Sequence, residues 1–382
     1  MLNKHILFLC SWYPSRYGET MGNFVQNHAD CASSVAKVST LFVCAAKEDF
    51  GVDYFQEKQT WGKDVLSVNV FYRDSRNPIV KLYRYLQAHL RGLAEIEKQK
   101  GKVDLVHLNV IKPAGLIALY LKWFKGLEFI ITEHSTVYLP ENAAIFSFSH
   151  RVLAWFCLKN TKLLATVSKH LGINITKIAT PFQSGILNNV VNENLFYPPR
   201  TMESAGKFRF IHISTLVPEH KNPEGMIRAF AELHKQRQDF EVLIISDGNT
   251  DSSRKQIKDA GLDGVINIEG TKLMAEIADE LRQSNCLVSF SNYENMPVVI
   301  SEAWMCGIPV ISTDVGGIAE HINPENGILI TKGSESELLD ALAAMMENRE
   351  FYESKHNHIA EYSLKQFSAK RVGERLLEIY GE

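Results

Sequence analysis

No two of the six cysteines stand as C-x-x-C. Cys10, Cys31, Cys44, Cys157, Cys286 and Cys306 are scattered singly, which fits small apolar core residues in a reducing compartment. Long apolar runs are missing as well. The one near the start, Ile6 to Cys10, is far too short for a membrane span or a signal-peptide core, and Trp12, Tyr13 and Pro14 follow it where a cleavage site needs small residues. The expected setting is cytoplasmic. The chain has no G-x-G-x-x-G fingerprint, which argues against a dinucleotide-dependent dehydrogenase, and no D-x-D metal motif. Nucleic acid is disfavoured, because no aromatic-rich basic motif accompanies the positive charge.

What is present is length and rhythm. A chain of 382 residues, 45% apolar and 22% charged, is too long for one ordinary core and reads as two globular domains. The net charge of −3 hides an asymmetry: residues 1–195 hold 22 Lys+Arg against 15 Asp+Glu, and residues 196–382 hold 19 against 29. A basic first half and an acidic second half imply different partners, or solvated surfaces that merely differ. In the first half, apolar runs at 5–12, 38–45, 68–73, 104–110, 128–134, 163–168 and 186–190 alternate with helical patterns such as Ile79 to Lys98 and Pro113 to Phe124. At 196–207 the pattern lapses, and Pro198-Pro199 with a polar tail marks a linker. It restarts with runs at 208–215, 241–248, 265–270, 286–291, 309–313 and 328–331, and with helices predicted over 223–236, 272–283, 297–306, 335–348 and 362–380. Short apolar runs separated by helices indicate an α/β fold of two doubly wound, Rossmann-like parallel-sheet domains, 1–195 and 208–360. Ligands of such sheets bind at the carboxyl ends of the strands, so the main site is expected in the cleft between the domains. The last segment, 361–382, has no strand after it and is expected to pack back on the first domain.

The most informative stretch is Tyr293 to Val310, YENMPVVISEAWMCGIPV. Pro297 suits the first helical position, Gly307 a left-handed C-cap, and Pro309 blocks continuation. The amides near Val298 and Val299 then lie unpaired at the positive helix end, which is an anion site. Glu294 sits in the loop ahead of that end. Glu302 follows Pro297 by five residues, about 7.5 Å down the axis, with its side chain leaning back toward the N-terminus. A carboxylate suits a vicinal diol, since each oxygen accepts one hydroxyl proton. A diphosphate flanked by two polyols, that is a sugar nucleotide, satisfies all three features. The plainer alternative, a solvent-facing Glu302 and a capping Glu294, sits poorly with the proline, glycine and proline around the pair.

This stretch resembles the hallmark of the retaining nucleotide-sugar glycosyltransferases of glycosyltransferase family 4: a glutamate, an intervening heptapeptide, a second glutamate followed by alanine, and a G-x-P-V-I ending. It stands here as Glu294, NMPVVIS, Glu302-Ala303 and Gly307-Ile308-Pro309-Val310-Ile311. The resemblance runs along nearly the whole chain and implies the two-domain GT-B architecture, with no cofactor and no metal. It implies that Glu302 binds the ribose, that Glu294 contacts the transferred sugar, and that the backbone of Asn295, Met296, Pro297, Val298 and Val299 holds the diphosphate. TLVPEHKNP (215–223) resembles the family's R-L-V-P-E-x-K stretch, which gives Lys221 the task of neutralising that diphosphate. Thr215 stands where the family has arginine, leaving one fixed cation and more reliance on amide dipoles. SWYPSRYGETMGNFVQNHA (11–29) resembles the family's first strand-to-helix loop, where Gly18 and Gly22 would let backbone approach the donor. TEHST (132–136) implies a donor-sugar contact for His134, with Glu133 toward the acceptor. Ser168 and Asn189 match landmarks of a structural kind, and Gly316 and Gly317 are expected to border the donor.

The expectation is therefore transfer of a sugar, with retention, from a nucleoside-diphosphate sugar to a hydroxyl of a glycan or lipid-linked acceptor. Cell-surface polysaccharide or glycolipid assembly is the expected context. Glu294, His134 and Lys221 would lie nearest the chemistry, with fixed dipoles stabilising the departing diphosphate. Another GT-B enzyme, such as a sugar-nucleotide epimerase or a phosphorylase, is an alternative, as is a non-catalytic nucleotide-sugar-binding protein. LKWFKG (121–126) and SHRVLAWFCLKN (149–160) mix Lys or Arg with Trp and Phe, as helices lying on a membrane do. Peripheral contact at the inner membrane face thus stands beside the reading of amphipathic helices that cover their own sheet.

Overall fold

A computed structural model describes residues 2–18, 20–199 and 206–381; half of the predicted linker, 200–205, lies outside them. The chain divides into two units, residues 1–190 with 369–382, and residues 191–368.

Among the described residues the first unit holds eight strands: β1 His5–Cys10, β2 Lys37–Ala45, β3 Tyr54–Trp61, β4 Val65–Tyr72, β5 Leu105–Asn109, β6 Phe129–Glu133, β7 Leu164–Thr166 and β8 Ser184–Ile186. Their order is β3-β4-β2-β1-β5-β6-β7-β8, parallel except where β3 pairs β4. Strands β1, β4, β5 and β6 are buried along their whole length, as apolar runs between two helical layers must be. The antiparallel β3 was not foreseen. Its sequence YFQEKQTW is polar and half exposed, which suits an edge strand but leaves no apolar run to read. Its signal was the turn that follows, where Gly62 and Asp64 both take positive φ (54° and 72°).

The C-terminal prediction needs correcting in one respect. The single helix expected over 362–380 is two helices, Arg349–Phe367 and Ala369–Gly381, parted at Ser368 with an extended backbone (ψ 152°). The apolar periodicity runs through the break, so spacing alone conceals it. The former helix stays with the second unit and the latter joins the first. There Val372, Leu376, Ile379 and Tyr380 share a core with Ile6, Phe8, Val25 and Ala29. The Tyr380 hydroxyl bonds His107 Nδ1 at 2.8 Å, and Lys4 Nζ donates to the Tyr380 carbonyl at 2.6 Å.

Among the described residues the second unit has six strands: β9 Phe208–Ile213, β10 Phe240–Ile245, β11 Ile266–Glu269, β12 Cys286–Ser289, β13 Val310–Thr313 and β14 Gly327–Ile330. All are parallel, in the order β11-β10-β9-β12-β13-β14. The chain winds outward from β9 in one direction and outward from β12 in the other. The crevice at the carboxyl ends of β9 and β12 is therefore the topological switch point, where ligands of such sheets bind.

Candidate functional site

Two loops leave that switch point. After β9 the chain turns through Ser214–Val217 into a one-turn helix, Pro218–Lys221. A buried His212 holds the turn: its Nδ1 bonds the Val288 carbonyl at 2.8 Å and its Nε2 the Ser214 hydroxyl at 2.7 Å, while Ser214 Oγ accepts from the Leu216 amide at 3.1 Å. Burial lowers the His212 pKa to about 4, so the imidazole is neutral. Leu216 takes a left-handed φ of 53°, a strained value for such a residue. Thr215 is exposed, and its carbonyl presses on Gly248, where an added Cβ would come within 1.9 Å. Neither His212 nor Gly248 was foreseen, because each acts on the shape of the loop and carries no motif of its own.

After β12 the chain passes through Asn292–Pro297. The Asn292 amide donates to the His220 carbonyl at 2.7 Å, and its side chain to the Glu219 carbonyl at 3.1 Å, which ties the two loops together. Lys221 forms an ion pair with Glu294. His220 Nε2 lies 3.4 Å from the same carboxylate, and its ring stacks on Tyr293 with centroids 4.3 Å apart. Glu294 is only 6% exposed. Burial would push its carboxyl up, but Lys221 and His220 hold it down to about 2. Lys221 and Glu294, assigned separately to diphosphate and sugar, are thus brought together as partners.

Asn295 and Met296 are buried. The Gly317 amide donates to the Asn295 carbonyl at 2.7 Å, and a Cβ on Gly316 (φ +61°) would lie 1.9 Å from the Glu294 carbonyl oxygen. The close approach that these glycines permit is therefore to their own neighbouring loop. The helix begins at Val298, one residue later than expected, and ends at Met305; Pro297 is its N-cap and Gly307 takes φ +79°. No side chain caps this N-terminus, and among the described residues no acceptor reaches the amides of Val298 and Val299. The helix is greasy because it is covered. Ile300, Ala303, Trp304 and Met305 are fully buried, Trp304 Nε1 donates to the Asn326 carbonyl at 3.0 Å, and Ser363 Oγ donates to the Ser301 carbonyl at 2.9 Å.

Glu302 lies about one turn beyond Val298. It is 7% exposed, not a solvent-face residue, and no described residue donates a hydrogen bond to its carboxylate. Burial raises its pKa to about 7. A buried carboxyl without a protein donor, close to unpaired amides, is a costly arrangement for stability alone.

The remaining predicted residues belong to the first unit. Gly22 caps the helix Asn23–Ser33 in the left-handed region (φ +76°), and a Cβ there would fall 2.6 Å from the Trp12 carbonyl carbon. Its freedom is thus used against its own backbone. His134 follows β6 and packs against Phe24 and His28, ring centroids 4.4 and 5.4 Å away; burial holds it well below the usual imidazole range. Glu133 does not face an acceptor. It is fully buried, accepts from the amides of Ile111, His134 and Ser135 at 2.8–2.9 Å, and burial lifts its pKa to about 7. Ser168 Oγ accepts from the Leu171 amide at 3.1 Å as a helix cap. Among the described residues no cluster of three or more His, Cys, Asp or Glu is placed to hold a metal ion.

The profile of the family described as glycosyl transferases group 1 matches residues 197–366. An uncharacterized glycosyltransferase of Methanocaldococcus jannaschii is 25% identical over 283 residues, 73% of this chain and 76% of that protein. The N-acetyl-alpha-D-glucosaminyl L-malate synthase of Bacillus anthracis is 22% identical over 302 residues, 75% of this chain and 77% of its own. Among solved structures, the HepE protein of Anabaena in complex with UDP-glucose superposes with a TM-score of 0.73 at 18% identity, covering 99% of each chain.

Proposed function

We propose that this chain is a glycosyl transferase of group 1, the family whose profile matches residues 197–366, and that its second unit takes a nucleoside-diphosphate sugar and gives the sugar to an acceptor hydroxyl with retention. The epimerase alternative falls away with the family. The observation that carries the reading is the partnerless, buried Glu302 set one turn beyond the open amides of Val298 and Val299. The amides and the Lys221 ammonium bind the diphosphate, the Glu302 carboxylate accepts from the ribose diol, and Glu294 accepts from the hydroxyls of the transferred sugar. In the step itself the bond from the anomeric carbon to the diphosphate oxygen breaks, the bond to the acceptor oxygen forms on the same face, and the acceptor proton passes to the departing phosphate oxygen. Lys221 and the helix-end dipoles meet the charge that develops there. The acceptor is a glycan or a lipid-linked glycan, reached by peripheral contact with the inner face of a membrane; no described helix is long and apolar enough to cross one.

Calorimetry against uridine, guanosine and adenosine diphosphate sugars tests the donor assignment. One of them should bind, and Glu302→Ala should weaken it. Unchanged affinity in a folded Glu302→Ala variant places the nucleotide elsewhere.

A further inference from the structure

Two helices of the first unit each carry an apolar stripe on the side away from the core. On Gly115–Lys125 it is Leu116, Tyr120, Trp123 and Phe124, with Trp123 53% and Phe124 72% exposed. On Phe148–Asn160 it is Phe148, Val152, Trp155 and Phe156, with Phe148 81% and Trp155 44% exposed. Both sets fall at i, i+4, i+7 and i+8, the spacing of a single helical face. The inner faces are already supplied by Ile117, Ala118 and Leu121 and by Ala154, Cys157 and Leu158, all buried. Covering the sheet therefore accounts for neither stripe. The two stripes join: the Trp123 and Phe156 rings meet edge-on at 6.3 Å, and the Trp123 indole donates to Asn160 Oδ1 at 3.3 Å.

Charge names the partner. Neither helix contains an Asp or a Glu, although the chain as a whole is net negative; they carry Lys122, Lys125, Arg151 and Lys159. Lys122 pairs with Glu128 at 2.9 Å, but no described carboxylate faces Lys125, Arg151 or Lys159. Exposed tryptophan and phenylalanine flanked by cations that face no described carboxylate suit the boundary between anionic headgroups and acyl chains. A second copy of this face is a poor partner, since two like-charged surfaces repel. We propose that this two-helix face docks on the surface of an anionic lipid bilayer. The proposal deepens the membrane contact read above, and its observations lie entirely within the first unit.

Flotation of the full chain tests it, with vesicles of phosphatidylcholine alone and of phosphatidylcholine mixed with phosphatidylglycerol. The chain should rise with the anionic vesicles only and be released by salt. Trp123→Ser with Trp155→Ser should abolish the shift, and Lys125→Gln and Lys159→Gln should each weaken binding about fivefold. Circular dichroism confirms that each variant is folded. Titration in parallel with the uridine, guanosine and adenosine diphosphate sugars reports on the donor site alone, so a failed donor assignment is distinguishable from a failed docking face. The inference is overturned if the wild-type chain stays unbound, if the serine variant floats as well as wild type, or if the face proves to join a dimer that the same substitutions dissolve.

Discussion

At the scale of the residue, the two motif glutamates are opposites. Glu294 is charged because Lys221 and His220 hold it so; Glu302 is buried with nothing to hold it. Lys221→Ala strands the Glu294 carboxylate and should cost about 3–5 kcal/mol in urea unfolding, much of it recovered by adding Glu294→Gln. Since the Glu294 pKa is depressed from 4.5 to about 2, the contribution of the pair is present above the unfolded value and fades as pH falls toward 2. The gap between wild type and Lys221→Ala should narrow accordingly in acid. Glu302 has the reverse sign. Its pKa is raised from 4.5 to about 7, so the unligated protein is favoured below 4.5 and loses stability as pH rises through 7. Glu302→Gln should stabilise the free protein by about 3 kcal/mol at pH 8 and by almost nothing near pH 4.5. The same change should weaken donor binding about ten- to a hundredfold, read by calorimetry, through the lost hydrogen bonds to a charged acceptor.

At the scale of the element, the donor loop is shaped by backbone packed on backbone. Gly316→Ala would drive a Cβ into the Glu294 carbonyl from a left-handed φ. It should lower stability by about 1–3 kcal/mol in thermal unfolding and displace the loop enough to reduce donor affinity. This scale also marks the limit of what could be read in advance. The motif from Glu294 to Pro309 announced itself because proline, glycine and acid have strong local meanings, and its helix lies within a residue of the expected place. Lys221 was found by resemblance. His212, Gly248 and the packing of Gly316 on the Glu294 carbonyl were not, since what they do is set by strands and loops distant in sequence. Strand β3 was missed because an exposed edge needs no apolar run, and the break at Ser368 because the periodicity continues across it. The outward stripes on the helices 115–125 and 148–160 were visible as composition, but which face they occupied depended on the tertiary packing.

At the scale of the whole molecule, the two units were legible as two rounds of strand and helix, and the return of the last helix followed from its lack of a succeeding strand. Leu376 on that helix is fully buried in the core of the first unit. Leu376→Ala should therefore cost about 2–5 kcal/mol. Hydrogen exchange should localise the loss, with faster exchange in β1 and β5 and little change across β9 to β14.

Because residues 369–381 complete a core whose other parts lie before residue 191, order of manufacture and order of completion are inverted. During translation the second unit has its whole sequence once Ser368 is made, whereas the first must wait, with an uncovered groove, for residues that emerge from the ribosome after it. The half of the protein that is born first is the half that is finished last.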